Sequence, residues 1–138
     1  MNVEAEVCNA LETAAMAFTA NASPEIDIAI RDGFAPRDGV PYLQVDFMPN
    51  RTQNLFVGNS APARHIGIFQ VSVMYPNGEG RIPALALAGE VAAAFSKGSR
   101  FASNGVSAQI YEQPSVAPPM QEPDRVRVPV SIRYQAIY

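Results

Sequence analysis

The segment from Arg64 to Lys97 reads as a long strand, a glycine turn and a helix in direct succession. In its first half, Phe69, Val71, Val73 and Tyr75 fall on one side, and Ile68, Gln70, Ser72 and Met74 on the other. A period of two with one wholly apolar side predicts a strand with one buried face and one half-wet face. Pro76 removes a ladder donor and closes that strand. Asn77, Gly78 and Gly80 tolerate positive φ, so the chain can reverse there. From Ile82 to Phe95 the period lengthens. Ile82, Leu85, Ala86, Gly89, Ala92, Ala93 and Ser96 share one helical stripe, widened by Leu87, Val91 and Phe95. Lys97 and Gly98 match a helix C-terminus. A strand with a buried face needs other strands beside it, and the rest of the chain provides them.

A first helix runs from about Asn2 to Thr19, with Cys8, Leu11, Ala15 and Phe18 on one stripe, flanked by Val3, Val7 and Ala14. Glu4 and Glu6 suit the positive helix end, and Asn21 and Pro24 stop the helix. Ile26, Ile28 and Ile30 alternate with Asp27, Ala29 and Arg31 as a short edge strand. Asp32-Gly33 and Arg37-Asp38-Gly39 are turn signals. Leu43, Val45 and Phe47 define a strand closed by Pro49, and Val106, Ala108 and Ile110 another. In the last strand Val126, Val128, Val130, Ile132 and Tyr134 face in, and Pro129 within it argues for a sheet edge or a bulge.

Two long connections remain. Pro49 to Arg64 is polar, with an apolar Leu55-Phe56-Val57 patch in its middle, kept for a partner or tucked on the body. Gln113 to Asp124 carries four prolines, which favour an extended course. Both are expected to be mobile in the isolated subunit and ordered in an assembly. The element order predicts one α+β domain over residues 1–138. Its sheet is mostly antiparallel or mixed, of four to five strands, with two helices packed on one face.

A chain of 138 residues at 48% hydrophobic and 17% charged content is globular in composition. Its net charge of −3 gives no general attraction to nucleic acid or anionic membrane. No apolar run approaches the ~20 residues that span a bilayer. The single cysteine, Cys8, cannot form an internal disulfide and reads as a small buried apolar residue. His65 is the one histidine, with no cysteine or acid at ligand spacing, so it reads as structural rather than catalytic or metal-binding. Gly78-x-Gly80 lacks the third glycine and the Lys-Ser/Thr of phosphate-binding loops, and the turn already explains it. The acids do not pair for acid–base work. These features describe a binding or structural module without an enzyme's constellation or a cofactor motif.

Charge is uneven along the chain: eight acids against two arginines in residues 1–48, then five bases against two acids in residues 49–111. Chance accounts for this. So does a subunit with an acidic end (Glu4, Glu12, Asp27, Asp32) and a basic end (Arg51, Arg64, Arg81, Arg100), suited to head-to-tail association.

Several stretches together resemble one family. They are Tyr42-Leu43-Gln44-Val45, Gly67 to Val73, Pro76-Asn77-Gly78-Glu79-Gly80, Ala88-Gly89-Glu90-Val91-Ala92, Phe95-Ser96-Lys97-Gly98 and Val128 to Tyr134. The chain is similar to the tail terminators of long-tailed phages and prophages, of the minor tail protein U type. The resemblance implies an α+β structural protein without cofactor, made in the cytoplasm of the bacterial host and built into the virion tail. It further implies a homo-oligomeric ring, six-membered on the tail, that ends tube polymerisation and forms the head–tail joining surface. Its partners would be its own copies, the tail-tube protein and the head–tail connector, with no membrane and no specific nucleic acid. No motif of the family transfers residue by residue. The candidate partner contacts, Arg51, Leu55, Phe56, Val57, Arg64 and Arg81, come from the loop patch and the basic residues. Alternatives are another phage neck or tail-completion protein and, from a different class, a small ligand-binding domain.

Overall fold

The computed structural model describes residues 2–22, 26–30, 34–55 and 62–138. Helices α1 (Val3–Ala20) and α2 (Ile82–Ala94) accompany eight strands. These are β1 (Asp27–Ala29), β2 (Tyr42–Asn54), β3 (Ala63–Pro76), β4 (Arg100–Ser103), β5 (Val106–Ile110), β6 (Ser115–Val116), β7 (Met120–Gln121) and β8 (Arg125–Ile137). They form one sheet in the order β1-β2-β3-β8-β5-β4, with β6 and β7 also paired to β8. Only β1 with β2 is parallel. The α+β class and its antiparallel character hold, while the expected four to five strands are corrected to eight. The additions are short pieces, β4, β6 and β7, too brief to show a period of their own.

The core follows from side-chain alternation on the two central strands. Phe69, Val71 and Val73 of β3 and Val128, Val130 and Ile132 of β8 are fully buried, as is Leu43 of β2. Val7, Leu11 and Ala15 of α1 and Ala84, Leu87, Ala88 and Val91 of α2 belong to the same cluster, so both helices cover one face. Burying each of these larger side chains contributes roughly 1.5–3 kcal/mol. The register of β3 against β8 runs unbroken from Arg64↔Ile137 to Pro76↔Arg125.

Local chemistry explains most element ends. The Asn2 side chain accepts a hydrogen bond from the Ala5 N–H at 3.1 Å and caps α1. Gly78 and Gly80 both have positive φ in the turn after β3. Asn104 and Gly105 both have positive φ between β4 and β5, the signature of a tight two-residue hairpin turn.

Two expectations are corrected. The stripe read on α2 was turned: Ile82, Leu85, Ala86, Gly89 and Ala93 are exposed, and Ala84, Leu87, Ala88, Val91, Ala92 and Phe95 are buried. Glu90 is the helix's one charged residue, so apolar side chains lie on every side and periodicity does not fix the phase. Pro129 lies not at an edge but in a strand flanked by β3 on one side and by β6 and β7 on the other. Ala117 donates to the Pro129 carbonyl at 2.9 Å. In an antiparallel ladder a residue's N and O point to the same neighbour. The donor Pro129 lacks would therefore face the break between β6 and β7, where Pro118 and Pro119 interrupt pairing.

Candidate assembly surface

The core stops at Gly67. A Cβ there would lie 2.5 Å from the Tyr134 hydroxyl and 2.7 Å from the Met48 carbonyl oxygen, so only glycine leaves room for that ring. Tyr134 in turn stacks on Phe47, with centroids 5.4 Å apart. Beyond this lid the sheet continues as an arm. β2 does not end at Pro49 but runs on to Asn54, with a register shift between Pro49 and Arg51 and pairs Thr52↔His65, Gln53↔Arg64 and Asn54↔Ala63. Of the Pro49–Arg64 connection expected to be a mobile loop, the described residues are mostly ladder, and 56–61 lie outside the described residues. The polar composition that suggested a loop reflects exposure instead: from Met48 onward only Gln53 of β2 is even half-buried. β1 covers β2 only at Tyr42 to Gln44, and no described strand pairs with its free edge further along. Pro49 and the bulge blunt that edge against adding another strand.

On the arm's inner side the apolar run gives way to polar contacts. The His65 Nδ1 lies 3.2 Å from both Glu4 Oε1 of α1 and Thr52 Oγ1 of β2. His65 is thereby structural, tying the start of α1 to the arm's base. On the outer side Arg64 is held rather than free. Its Nε donates to Gln135 Oε1 at 2.7 Å, a terminal nitrogen to Gln53 Oε1 at 3.1 Å, and its guanidinium lies 5.2 Å from the Tyr111 ring centroid. Arg51 is exposed with no described partner, and Leu55 is 43% exposed at the arm's end. Phe56 and Val57 lie outside the described residues. Arg81 precedes α2 at the other end of β3, so the structure gathers Arg51, Leu55 and Arg64 and leaves Arg81 about 35–40 Å of strand away. Glu4 touches His65 at the basic end, so the proposed acidic and basic ends do not separate cleanly.

That far end carries a different surface. Between the second half of α1 and α2 lies a groove of about 890 Å³, lined by Ala14, Ala17, Phe18, Pro83, Leu87 and Glu90 among others, with Tyr75 of β3. Asn21, also in its wall, donates its amide to the Ala17 carbonyl at 2.9 Å. Among the described residues Glu90 is its one charged lining residue and has no partner. Nearby, the buried Arg125 ties segment 34–41 to the sheet by donating to the carbonyls of Val40 at 2.6 Å and Arg37 at 2.8 Å, with its guanidinium 5.0 Å from the Tyr42 ring centroid. Asp27 accepts two hydrogen bonds from Arg37, at 2.7 and 2.6 Å, which hold its carboxyl below the usual range.

The second connection expected to be mobile, Gln113–Asp124, is laid along β8 through β6 and β7. Cys8 is half-buried at the margin of the α1 stripe, and burial, then the neighbouring Glu12, push its thiol up to about 11. Burial likewise raises Tyr134, with Glu4 and Cys8 adding to it. Among the described residues no three His, Cys, Asp or Glu side chains gather as a metal site, and no helix is long and apolar enough to cross a membrane. The arrangement supports contact surfaces at two ends, one a β-arm and one an apolar groove.

One solved chain, which carries no functional name, superposes with a TM-score of 0.79 at 24% identity, covering 96% of this chain and 94% of that one. At that identity the likeness is one of fold. No curated protein matches the chain. A family model described as phage tail terminator protein matches residues 6–134, from the first helix to the Tyr134 lid of the core. The chain belongs to the phage tail terminator family, and is thereby a structural protein of the virion tail.

Proposed function

We propose that residues 1–138 form one tail-terminator domain that assembles head to tail into a closed ring, six copies on the tail. The ring sits on the end of the tail tube, stops its polymerisation and offers the surface that the head–tail connector joins. The subunit is made in the host cytoplasm and ends in the virion tail, contacting its own copies, tube and connector, with no membrane or specific nucleic acid. The observation that carries this reading is the arm: from Met48 to Asn54 β2 leaves its side chains exposed, Gln53 apart, which costs ordering entropy without burial unless something covers them. Arg51 and Leu55, with Phe56 and Val57 from the same stretch, are the contacts at that end. Arg64 braces the arm, and Arg81 belongs to a contact at the opposite end. A groove on the far side makes the two ends unlike, and unlike ends build rings or filaments rather than two-fold dimers.

The test is tail assembly with and without the protein, followed by electron microscopy. Without it, tubes are expected to run to uncontrolled lengths and stay unjoined to heads. Adding it back should restore uniform tubes with a ring at one end. Tubes of normal length, capped and joined in its absence, would refute the reading.

A further inference from the structure

Beyond those contacts the molecule carries the groove between α1 and α2. Its lining is nearly all apolar, with walls of small side chains, Ala14, Ala17 and Ala86, around the larger Phe18 and Leu87. A pocket built for a small ligand places several convergent polar groups to orient it. Here Asn21 is spent on its own helix, and among the described lining residues Glu90 and the Tyr75 hydroxyl remain. An extended apolar peptide segment fits such a groove better than a polar metabolite does.

The same chain carries an extended segment that ends on an exposed apolar side chain. The arm end exposes Leu55, with Arg51 four residues before it on the same strand run and unpaired among the described residues. The groove and the arm end offer matching chemistry, apolar against apolar and one unpaired base against one unpaired acid. They cannot meet within one molecule: Tyr75, beside the groove, and Arg64, beside the arm end, lie at opposite ends of β3, about 35 Å of strand apart. Resting on the ring reading above, we infer that the arm end of one copy docks in the α1–α2 groove of the next, Leu55 entering between Phe18 and Leu87 and Arg51 meeting Glu90. The contact is heterologous, so each copy gives one arm and receives one. The apolar insertion supplies affinity, and the charge pair sets register and encounter rate.

Complementary blocking variants test this. Leu55→Asp spoils the arm and leaves the groove; Ala86→Trp fills the groove from an exposed helix position and leaves the arm. Each variant is first checked for native circular dichroism and melting. Sedimentation velocity then follows assembly at concentrations where the wild-type chain self-associates. Each variant alone is expected to stay monomeric. Mixed, they should form one-to-one dimers and nothing larger, because a single intact arm–groove pair survives. Arg51→Glu should weaken assembly roughly three- to tenfold, and adding Glu90→Arg should restore it to within about twofold. Variants that each assemble as the wild-type chain does overturn the docking and leave the ring reading standing. Variant mixtures without the dimer, or a groove filled by a small ligand or by a different tail protein while copies still assemble, also overturn it. A wild-type chain that neither self-associates nor caps tubes overturns both.

Discussion

The two halves of β3 make a natural experiment, because one strand with one hydrogen-bonding pattern passes through two environments. From Phe69 to Val73 its inward side chains are completely buried under α1 and α2. From Gly67 back to Ala63 the same side carries His65, and the layer above it shrinks to the start of α1, through Glu4. The ladder with β8 is unbroken across both, and that with β2 resumes after one register shift between Pro49 and Arg51. Backbone pairing can therefore carry a sheet past its core, but only burial sets how costly a substitution is. The body of the sheet is fixed by packing. The arm is fixed by its ladder and a few polar ties, which leaves its side chains available to a neighbour.

Alanine substitution at Phe69 should cost about 3–5 kcal/mol by emptying fully packed space, whereas Thr52→Ala on the arm should stay within about 1 kcal/mol. Chemical denaturation of both variants measures this directly, and comparable losses would erase the distinction between body and arm. At the margin of the α1 stripe, the Cys8 thiol at about 11 against 9.0 in the unfolded chain predicts native labelling at pH 8 roughly a hundredfold slower than in denaturant. The sign also works for stability. A raised folded pKa contributes stability that is present below pH 9.0 and is lost as pH rises through about 11. Equal labelling rates would show that the stripe's edge is open. At the boundary itself, Gly67→Ala drives a methyl against Tyr134 and the Met48 carbonyl and should cost about 1–3 kcal/mol. A neutral result would move the boundary elsewhere. His65→Ala should cost about 1 kcal/mol by releasing Glu4 and Thr52 from the arm's base, with faster hydrogen exchange at Thr52 and Gln53 as its local mark.

Legibility in the sequence follows the same division. The buried faces of β3 and β8 show plainly, because one apolar side against one polar side makes an unambiguous period. Helix α1 shows with its stripe slightly turned: Val7, Leu11 and Ala15 are buried as expected, Cys8 and Phe18 only half, and Ala10 and Thr19 are buried in addition. The arm reads as a loop, since Asn50, Thr52, Gln53 and Asn54 have loop chemistry and their pairing is imposed by β3. On α2 the helix itself is evident but its phase is not, with apolar residues all round. The β4–β5 hairpin carries a usable signal, Asn104-Gly105 between short alternating runs. Of the candidate contacts, Arg51 and Leu55 were legible as exposed residues. Arg64 was not, because its brace comes from Gln135 and Tyr111, far along the chain and next to it only through the β8 and β5 registers. The groove was invisible for a similar reason: its walls come from two helices some seventy residues apart, and neither stripe alone implies a gap between them.

The position of β8 has a consequence for how the subunit is made. It is the strand furthest along the chain, yet it sits in the middle of the sheet between β3 and β5. Its register with β3 closes loops of roughly fifty to seventy residues, contacts of the slow, non-local kind. While a ribosome is still extending the chain, the β2–β3 hairpin can form, but β3 keeps one full edge open and the core has no second half. An incomplete chain therefore exposes a long strand edge that invites stray pairing, which is a hazard for a protein synthesised beside many copies of itself. Once β8 arrives it fills that edge and completes the layer under both helices. The domain thus gains its finished surfaces only once β8 has emerged. Copies that assemble are then already complete rather than fragments.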